Sequence, residues 1–348
     1  MQVTRVEGLR VALLGATGSV GGEILGLLDE RRFPVRELLP LASPESEGDH
    51  IEFRGEEYRV ESADDAERLA GCDLIFAAAP SVLEPLLPDL RHAKSALIDV
   101  SGALELDLSV PLWLAGWSAP LRFEPDGPRW VAIPRGVSAG LGLTLGPLAC
   151  EAGLERVTVL TLESASGVGR SGTDELGEHT IQLLNAMSGD VDESAVFPLP
   201  LAFDCLPQVG ALLEDGDSGE ERRLGHVLRR LLGGNGWALE TTRTRVPIFA
   251  GSLALVHVQL AKDVSPARAR ELWAASEGVS VLPDEALPTP RSVLGRNDVV
   301  VGRVRRSNDQ PGRLAFAVAQ DDLRRGGAFG AVCAAEAIFR AGPGAIPS

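Results

Sequence analysis

The sequence predicts an α/β fold: a doubly wound parallel sheet, followed by a second domain in which helices and strands are mixed. Three observations lead to this prediction. Short apolar runs alternate with helical segments in the first half, a glycine-rich turn follows the first run, and apolar and polar residues alternate along several segments of the second half. At 348 residues, the chain is long enough for two domains with separate cores.

The glycine-rich turn lies between a predicted strand and a predicted helix. Residues 11–14 are apolar, Gly15, Gly18 and Gly21 follow, and residues 19–28 carry apolar side chains at helical spacing. Such a turn holds a pyrophosphate, because glycines let the backbone approach and the helix N-terminus offers N–H groups. The G-x-x-G-x-x-G spacing differs from the commoner G-x-G-x-x-G. The alternative is that the glycines serve only close packing of strand on helix.

The rest of the first half continues the alternation of strands and helices. Further buried strands are predicted at residues 38–42, 74–79, 96–100 and 130–133, with helical segments around 63–69 and 82–90. In a dinucleotide-binding fold, the loop after the second strand meets the adenosine ribose. Glu45 and Glu47 lie in this loop, and their carboxylates would repel a 2′-phosphate.

The second half reads differently. Residues 157–163 alternate as a half-buried strand does, and a glycine-rich loop follows at 166–172. Ser138 is predicted to cap a helix that runs through Leu148. Later alternating runs indicate a largely antiparallel sheet, and they lie near Val246 and at 253–260, 299–304 and 314–318. Other helices are predicted at about 173–187, 222–232 and 327–339.

Composition narrows the choice of partners and compartment. The net charge of −16 argues against nucleic-acid and anionic-membrane partners. No apolar run approaches the ~20 residues that cross a bilayer, so no membrane association is expected. The four cysteines, Cys72, Cys150, Cys205 and Cys333, show no C-x-x-C spacing. We therefore expect a reducing, cytoplasmic compartment and no metal site.

An ordered set of motifs over residues 9–340 resembles the aspartate-semialdehyde dehydrogenase family. The motifs are GATGSVG at 15–21, IDVSGA at 98–103, SGVG at 166–169, FPLPLAF at 197–203 with PQV at 207–209, RVPI at 245–248, NDVVVGR at 297–303 and DLRRG at 322–326. The resemblance implies a Rossmann-like domain over residues 1–134 plus 320–348 and an α+β dimerisation domain over 135–319. It also implies that the chain forms a homodimer and that it takes part in amino-acid biosynthesis.

The resemblance assigns ligand-binding positions. Those for NAD or NADP are Gly15, Thr17, Gly18, Ser19, Val20, Ser43 and Gly167. Arg245 stands where the family grips the substrate carboxylate, and Arg223 stands where a lysine assists phosphate binding. For Arg223, the alternative is a solvated helix face beside Glu220 and Glu221. The carboxylate at Glu45, in place of an arginine for the 2′-phosphate, favours NAD over NADP if the chain binds either.

The catalytic positions depart from the family. In the family, a cysteine thiolate attacks the aldehyde, a histidine moves protons, hydride passes to NADP, and phosphate takes up the acyl group. Here Gly136 stands at the nucleophile, Ser252 at the histidine and Glu163 at a glutamine of the catalytic loop. Arg135 replaces an asparagine beside the nucleophile, and Glu105 replaces a phosphate-binding arginine. Gly330 stands at an asparagine near the nicotinamide.

Three hypotheses follow from these departures. In the first, the chain keeps the scaffold, has no catalytic residue at these positions, and acts by binding a small carboxylate, a dinucleotide or a protein partner. In the second, another reaction takes place in the same cleft. In the third, the chain is an active NAD(P)-dependent semialdehyde dehydrogenase with shifted catalytic residues. Joint loss of the thiol and the imidazole, with glutamates at two arginine positions, favours the first.

Overall fold

The computed structural model describes residues 8–63, 68–69, 71–125, 127–185, 193–234, 236–307 and 311–340. The chain divides into two compact units. The first comprises Met1–Arg135 and Gly327–Ser348, and the second comprises Gly136–Gly326. The segment that returns to the first unit thus begins at Gly327, whereas the sequence-based division places it at residue 320.

The first unit is built on a sheet of six parallel strands in the order β5-β2-β1-β6-β7-β8. The strands of this unit are β1 (Leu9–Leu14), β2 (Val35–Ala42), β3 (His50–Phe53), β4 (Glu56–Arg59), β5 (Glu61–Ser62), β6 (Leu74–Ala77), β7 (Ala96–Asp99) and β8 (Trp130–Ala132). The order reverses between β1 and β6, which is where doubly wound sheets bind ligands. This confirms the predicted Rossmann-like sheet. The hairpin of β3 and β4 was not predicted.

Helices cover both faces of this sheet. They are α1 (Ser19–Glu30), α2 (Pro80–Leu83), α3 (Leu87–Leu90) and, after the second unit, α8 (Phe329–Arg340). Val11 and Leu13 of β1 pack in one apolar cluster with α1 and α8, while Ala12 and Leu14 pack in another with α2 and α3. Because alternate residues face opposite layers, a strand buried on both sides is a continuous apolar run.

The second unit contains a mixed sheet in the order β10-β9-β11-β14-β13-β12. Its strands are β9 (Leu154–Glu163), β10 (Ala238–Arg245), β11 (Ser252–Leu260), β12 (Val279–Val281), β13 (Val299–Arg306) and β14 (Arg313–Gln320). The outer pairs, β10 with β9 and β12 with β13, are parallel, and the three inner pairs are antiparallel. β10 ends at Arg245, one residue before Val246, near which a strand was predicted.

Helices pack on one face of the mixed sheet. The helices of this unit are α4 (Val137–Ala152), α5 (Arg170–Asn185), α6 (Gly219–Leu232) and α7 (Pro266–Ala274), of which α7 was not predicted. Trp273 of α7 packs against Phe316 of β14 with ring centroids 4.8 Å apart and ring planes tilted by 57°. Its indole N–H donates to the Thr144 carbonyl of α4 at 2.8 Å. These contacts fix α4 over the sheet. No helix in the described ranges is long and apolar enough to cross a membrane.

Candidate functional site

The glycine-rich turn of the first unit requires glycine at two positions. Gly15 has φ +82°, and a Cβ there would lie 2.9 Å from the Ala79 Cβ. A Cβ on Gly21 would lie 2.3 Å from the Gly15 carbonyl oxygen. Gly18 precedes α1, and no side chain hydrogen-bonds to cap that helix. The N-terminal N–H groups, at Ser19 and its neighbours, are therefore available to an anion.

A cavity of about 330 Å³ lies beside the loop after β2. Its lining includes Ser43, Pro44, Val82, Leu86 and Asp89. The loop is tied to the glycine-rich turn because the hydroxyls of Thr17 and Ser46 are 3.3 Å apart. Glu45 is exposed, and hydrogen bonds from the Ser43 hydroxyl and the backbone lower the pKa of its carboxyl. Negative charge therefore borders this cavity at neutral pH.

Four polar residues form one row across the second unit's sheet. Arg245 of β10 pairs with Glu163 of β9, Glu163 pairs with Ser252 of β11, and Ser252 pairs with Gln320 of β14. Directly paired residues place their side chains on the same face, and neighbouring strands lie ~4.8 Å apart. The side chains share the face covered by α4, because a Cβ on Gly140 of α4 would collide with the Gln320 amide. The row brings Glu163, Ser252 and Arg245 together, although they are far apart in the sequence.

Glu163 is held by a buried ion pair. The Arg243 guanidinium donates Nε and Nη2 to the two carboxylate oxygens at 2.6 and 2.7 Å, and Thr161 donates at 2.6 Å. Burial raises the pKa of Glu163, but the charge and hydrogen bonds of Arg243 outweigh burial and the net shift is downward. Arg243 also pairs with Glu220 at 2.8 Å. Glu163 is therefore an ionised structural anion at neutral pH.

The two arginines expected to bind substrate differ in their surroundings. Arg245 is buried and donates Nη1 to the Ser164 carbonyl, and a Cβ on Gly167 would collide with Nη1. Burial, assisted by the charge of Arg243, lowers the pKa of Arg245. Arg223 is mostly buried and lies 3.4 Å from Glu220 on α6, so it is not on a solvated face.

Ser252 has a partner that sequence reasoning missed. Its hydroxyl donates to Asp322 Oδ1 at 2.5 Å, and the Gln320 amide donates to the same oxygen at 3.2 Å. Burial raises the pKa of Asp322 to about 7, and the nearby charge of Glu163 adds to this shift. Ser252 and Asp322 are 70 positions apart, so only the pairing of β11 with β14 reveals the contact.

Gly136 joins this cluster through its backbone. Its carbonyl accepts the Gln320 amide at 2.7 Å, and its N–H donates to the Gly326 carbonyl at 2.7 Å. Gly136, rather than the predicted Ser138, is the N-cap of α4, with φ +55° and ψ −141°. No heavy atom lies within 4 Å of a Cβ built there, but this conformation favours glycine. A side chain at position 136 would therefore fit into the space around it, but the backbone conformation would be strained.

The sequence models of two semialdehyde dehydrogenase domains match this chain. The NAD-binding domain matches residues 10–121, and the dimerisation domain matches residues 145–325. The aspartate-semialdehyde dehydrogenase of Aquifex aeolicus is 31% identical over 339 residues, which cover 96% of this chain and 99% of that relative. The chain belongs to the aspartate-semialdehyde dehydrogenase family.

Other members of the family are similar over nearly the whole chain. A Pseudomonas aeruginosa protein described as a USG-1 protein homolog is 33% identical, covering 95% of this chain and 98% of the relative. A crystal structure of Vibrio cholerae aspartate semialdehyde dehydrogenase II, complexed with ASA, superposes with a TM-score of 0.87 at 29% identity. It covers 96% of this chain and 98% of that one. The two units therefore have the family's nicotinamide-dinucleotide-binding and dimerisation folds.

Two of the positions at which a difference from the family is predicted contact each other in the first unit. Glu105 is fully buried, and its Oε1 accepts the backbone N–H of Arg135 at 3.0 Å. The Arg135 guanidinium lies 4.0 Å from Oε2. Gly330 also fits its surroundings, because a Cβ there would lie 2.7 Å from the Ile133 side chain. Glu105 is thus an internal group of the fold, whereas its sequence position suggested a carboxylate facing an anion site.

Proposed function

We propose that this chain is a family member without thioester-forming dehydrogenase activity, which binds a nicotinamide dinucleotide and a small carboxylate on the family's scaffold. The surroundings of Gly136 carry the proposal. This glycine stands at the expected nucleophile position, and its neighbours in the cluster are Gln320, Ser252 and Asp322. None of these groups is a thiol or an imidazole.

The chemistry of the cluster supports this proposal. Without a thiolate, no thiohemiacetal forms from which hydride could leave, so the covalent route is closed at its first step. The Ser252 hydroxyl donates a hydrogen bond to Asp322, and a hydroxyl so engaged is not a base. Loss of a general base alone removes ~10²–10⁴-fold in rate. The groups act as a unit, so the losses need not add.

We propose that the dinucleotide is NAD rather than NADP. The N–H groups at Ser19 and Val20 would hold the pyrophosphate, and the cavity beside Ser43 would take the adenosine end. The bound nicotinamide would accept or supply hydride. Glu45 supports the preference for NAD, because its ionised carboxylate would repel a 2′-phosphate.

We propose that the chain is a cytoplasmic homodimer. Large apolar side chains of the second unit are exposed, among them Leu160 of β9, Ile181 and Leu184 of α5, and Phe249. Leu160 faces away from the covered side of the sheet, because it alternates with buried Val159 and Thr161. A second copy would cover such residues through a two-fold interface.

A second candidate, another reaction at the same site, is favoured by one observation. Asp322 is a carboxyl whose pKa of about 7 suits proton transfer near neutral pH. An alcohol or carbonyl group on the bound carboxylate would be the reacting group. The third candidate, an active semialdehyde dehydrogenase with shifted residues, has no such support in the cluster.

The test is an assay of the phosphate-dependent oxidation of aspartate semialdehyde. The readout of this assay is the reduction of NAD or NADP. We expect no turnover from the purified protein or from Gly136→Cys, because Ser252 and Glu105 remain. The Aquifex aeolicus relative serves as positive control. Robust turnover by the unmodified protein, abolished by changing another of its residues, would overturn the proposal.

A further inference from the structure

The Asp322 carboxyl uses only one of its two oxygens within the protein. Oδ1 accepts from both the Ser252 hydroxyl at 2.5 Å and the Gln320 amide at 3.2 Å. Oδ2 accepts no hydrogen bond from any described residue. Gln320 is itself fixed, because its amide also donates to the Gly136 carbonyl at 2.7 Å. The carboxyl is therefore held by one oxygen while the other remains open to a ligand.

Arg245 likewise has hydrogen-bond donors that the protein does not use. Nη1 donates to the Ser164 carbonyl, and no hydrogen bond joins its Nε or Nη2 to the described part of the chain. Arg245 and Ser252 flank Glu163 on neighbouring strands, so their backbones are ~10 Å apart. Asp322 hydrogen-bonds to Ser252, and it is close enough to Arg245 for its charge to oppose the lowering of the arginine pKa by burial. The two groups are therefore placed to bind opposite ends of one small dicarboxylate.

The other charged groups around Asp322 are already neutralised or engaged. Glu163 of β9 is paired with Arg243 of β10. The adjacent Asp321 accepts the backbone N–H groups of Gly295, Leu323 and Arg324. Among these charged groups, Arg245 and Asp322 therefore have hydrogen-bonding capacity left for a ligand.

We propose that Arg245 and Asp322 form a proton-linked site for a small dicarboxylate, in which Arg245 pairs with one carboxylate and protonated Asp322 donates a hydrogen bond from Oδ2 to the other. This inference rests on the proposed function and deepens its carboxylate-binding part. Ser252 and Gln320 are positioning residues. The proton comes from solvent and stays on Asp322 while the ligand is bound.

Proton uptake makes the binding depend on pH. An ionised Asp322 repels a carboxylate, whereas a neutral one donates to it. Because the pKa of the unliganded carboxyl is about 7, a proton must be added when a dicarboxylate binds above that pH. Affinity should fall about tenfold per pH unit above neutrality and level off below about pH 6.

The experiment measures binding of succinate to the full-length protein by calorimetry from about pH 6 to about pH 8.5. Succinamate is the matched ligand, since a neutral amide replaces one carboxylate and needs no proton. We expect a pH-dependent affinity for succinate and a nearly flat one for succinamate. Buffers of different ionisation enthalpy should report one proton taken up per succinate at the alkaline end.

Variants assign the effect to Asp322. Asp322→Asn keeps an acceptor for Ser252 and an N–H₂ donor for the ligand, so succinate should bind with no pH dependence. Glu285→Gln removes one exposed negative charge from the same unit, and should keep the wild-type slope. Ser252→Ala removes a hydrogen bond that lowers the pKa of Asp322, so the onset of the slope should move to higher pH. A purely structural serine would leave that onset in place.

Three results would overturn the inference: a pH-independent affinity for succinate, equal slopes for succinate and succinamate, or failure of succinate to bind. The comparison of ligands uses only the unmodified protein, so it decides the matter even if a variant does not fold. Succinate binding with a flat pH profile rejects the role of Asp322 and leaves the proposed function standing. Turnover of aspartate semialdehyde rejects the proposed function. The role of Asp322 is then still decided by the pH dependence of succinate binding.

Discussion

Replacing Asp322 by asparagine should stabilise the protein in alkaline solution. The pKa of this carboxyl rises from 3.8 to about 7 on folding, so the folded state holds the proton more tightly than the unfolded state. The free energy of unfolding therefore falls as pH rises from about 4 to about 7, and stays low above that. A difference of about three pKa units corresponds to ~4 kcal/mol, which is an upper bound because the residue is not fully enclosed.

Asparagine removes this cost while its amide oxygen still accepts from Ser252 and Gln320. Urea unfolding of wild type and Asp322→Asn should thus give similar free energies of unfolding near pH ~4, and a more stable variant near pH ~8. Glu285→Gln is the control, and its small effect should not follow this profile. A variant that is equally stable or less stable than wild type near pH ~8 would refute the reasoning.

Four further outcomes are expected. Calorimetry should show tighter binding of NAD than of NADP, with Glu45→Arg reversing the order, since like charges a few ångströms apart cost ~1–4 kcal/mol; tighter NADP binding by wild type would contradict this. Glu105→Arg should lower the free energy of unfolding by ~3–5 kcal/mol, because it buries a guanidinium beside Arg135, and adding Arg135→Asn should recover part of the loss. Glu163→Ala should lower the free energy of unfolding by less than ~3–5 kcal/mol, because Arg243 keeps its ion pair with Glu220. An unchanged urea midpoint would argue against a stabilising ion pair between Glu163 and Arg243. Light scattering should give a mass near twice 36.7 kDa, and a monomer at micromolar concentration would rule out the dimer.

Much of the fold could be predicted from local pattern. Segments buried on both faces, such as β6 and residues 11–14 of β1, are uninterrupted apolar runs, and this pattern predicts them as strands. The sequence ALETTRTR of β10 has too few apolar residues to reveal the extent of the strand, because two of its three buried residues are arginines. Arg243 is held by an ion pair with Glu163, and Arg245 donates to the Ser164 carbonyl. The hairpin of β3 and β4 is equally polar, and it was missed for the same reason.

The candidate site was only half visible in the sequence. Alignment with family motifs identifies what stands at 136, 163 and 252, and each of these residues lies in the cluster or row described. The motifs do not identify partners, because a partner is set by strand register and not by distance along the chain. Asp322 lies within the DLRRG motif, and Arg243 lies outside all of the motifs. Both acquire their roles when β9, β10, β11 and β14 come together.

The contacts that these polar side chains make with each other also constrain how this protein could change by single mutations. Glu105 contacts Arg135, Glu163 contacts Arg243, and Ser252 donates to Asp322. Installing the family's expected residue at one member leaves the other without its present contact, at a cost of up to ~3–5 kcal/mol for a buried charge. Total stabilities are ~5–15 kcal/mol, so two such steps in succession approach the limit of folding. A route to the family's catalytic set therefore requires paired substitutions, and one-at-a-time selection would meet a stability barrier before it met any gain in rate.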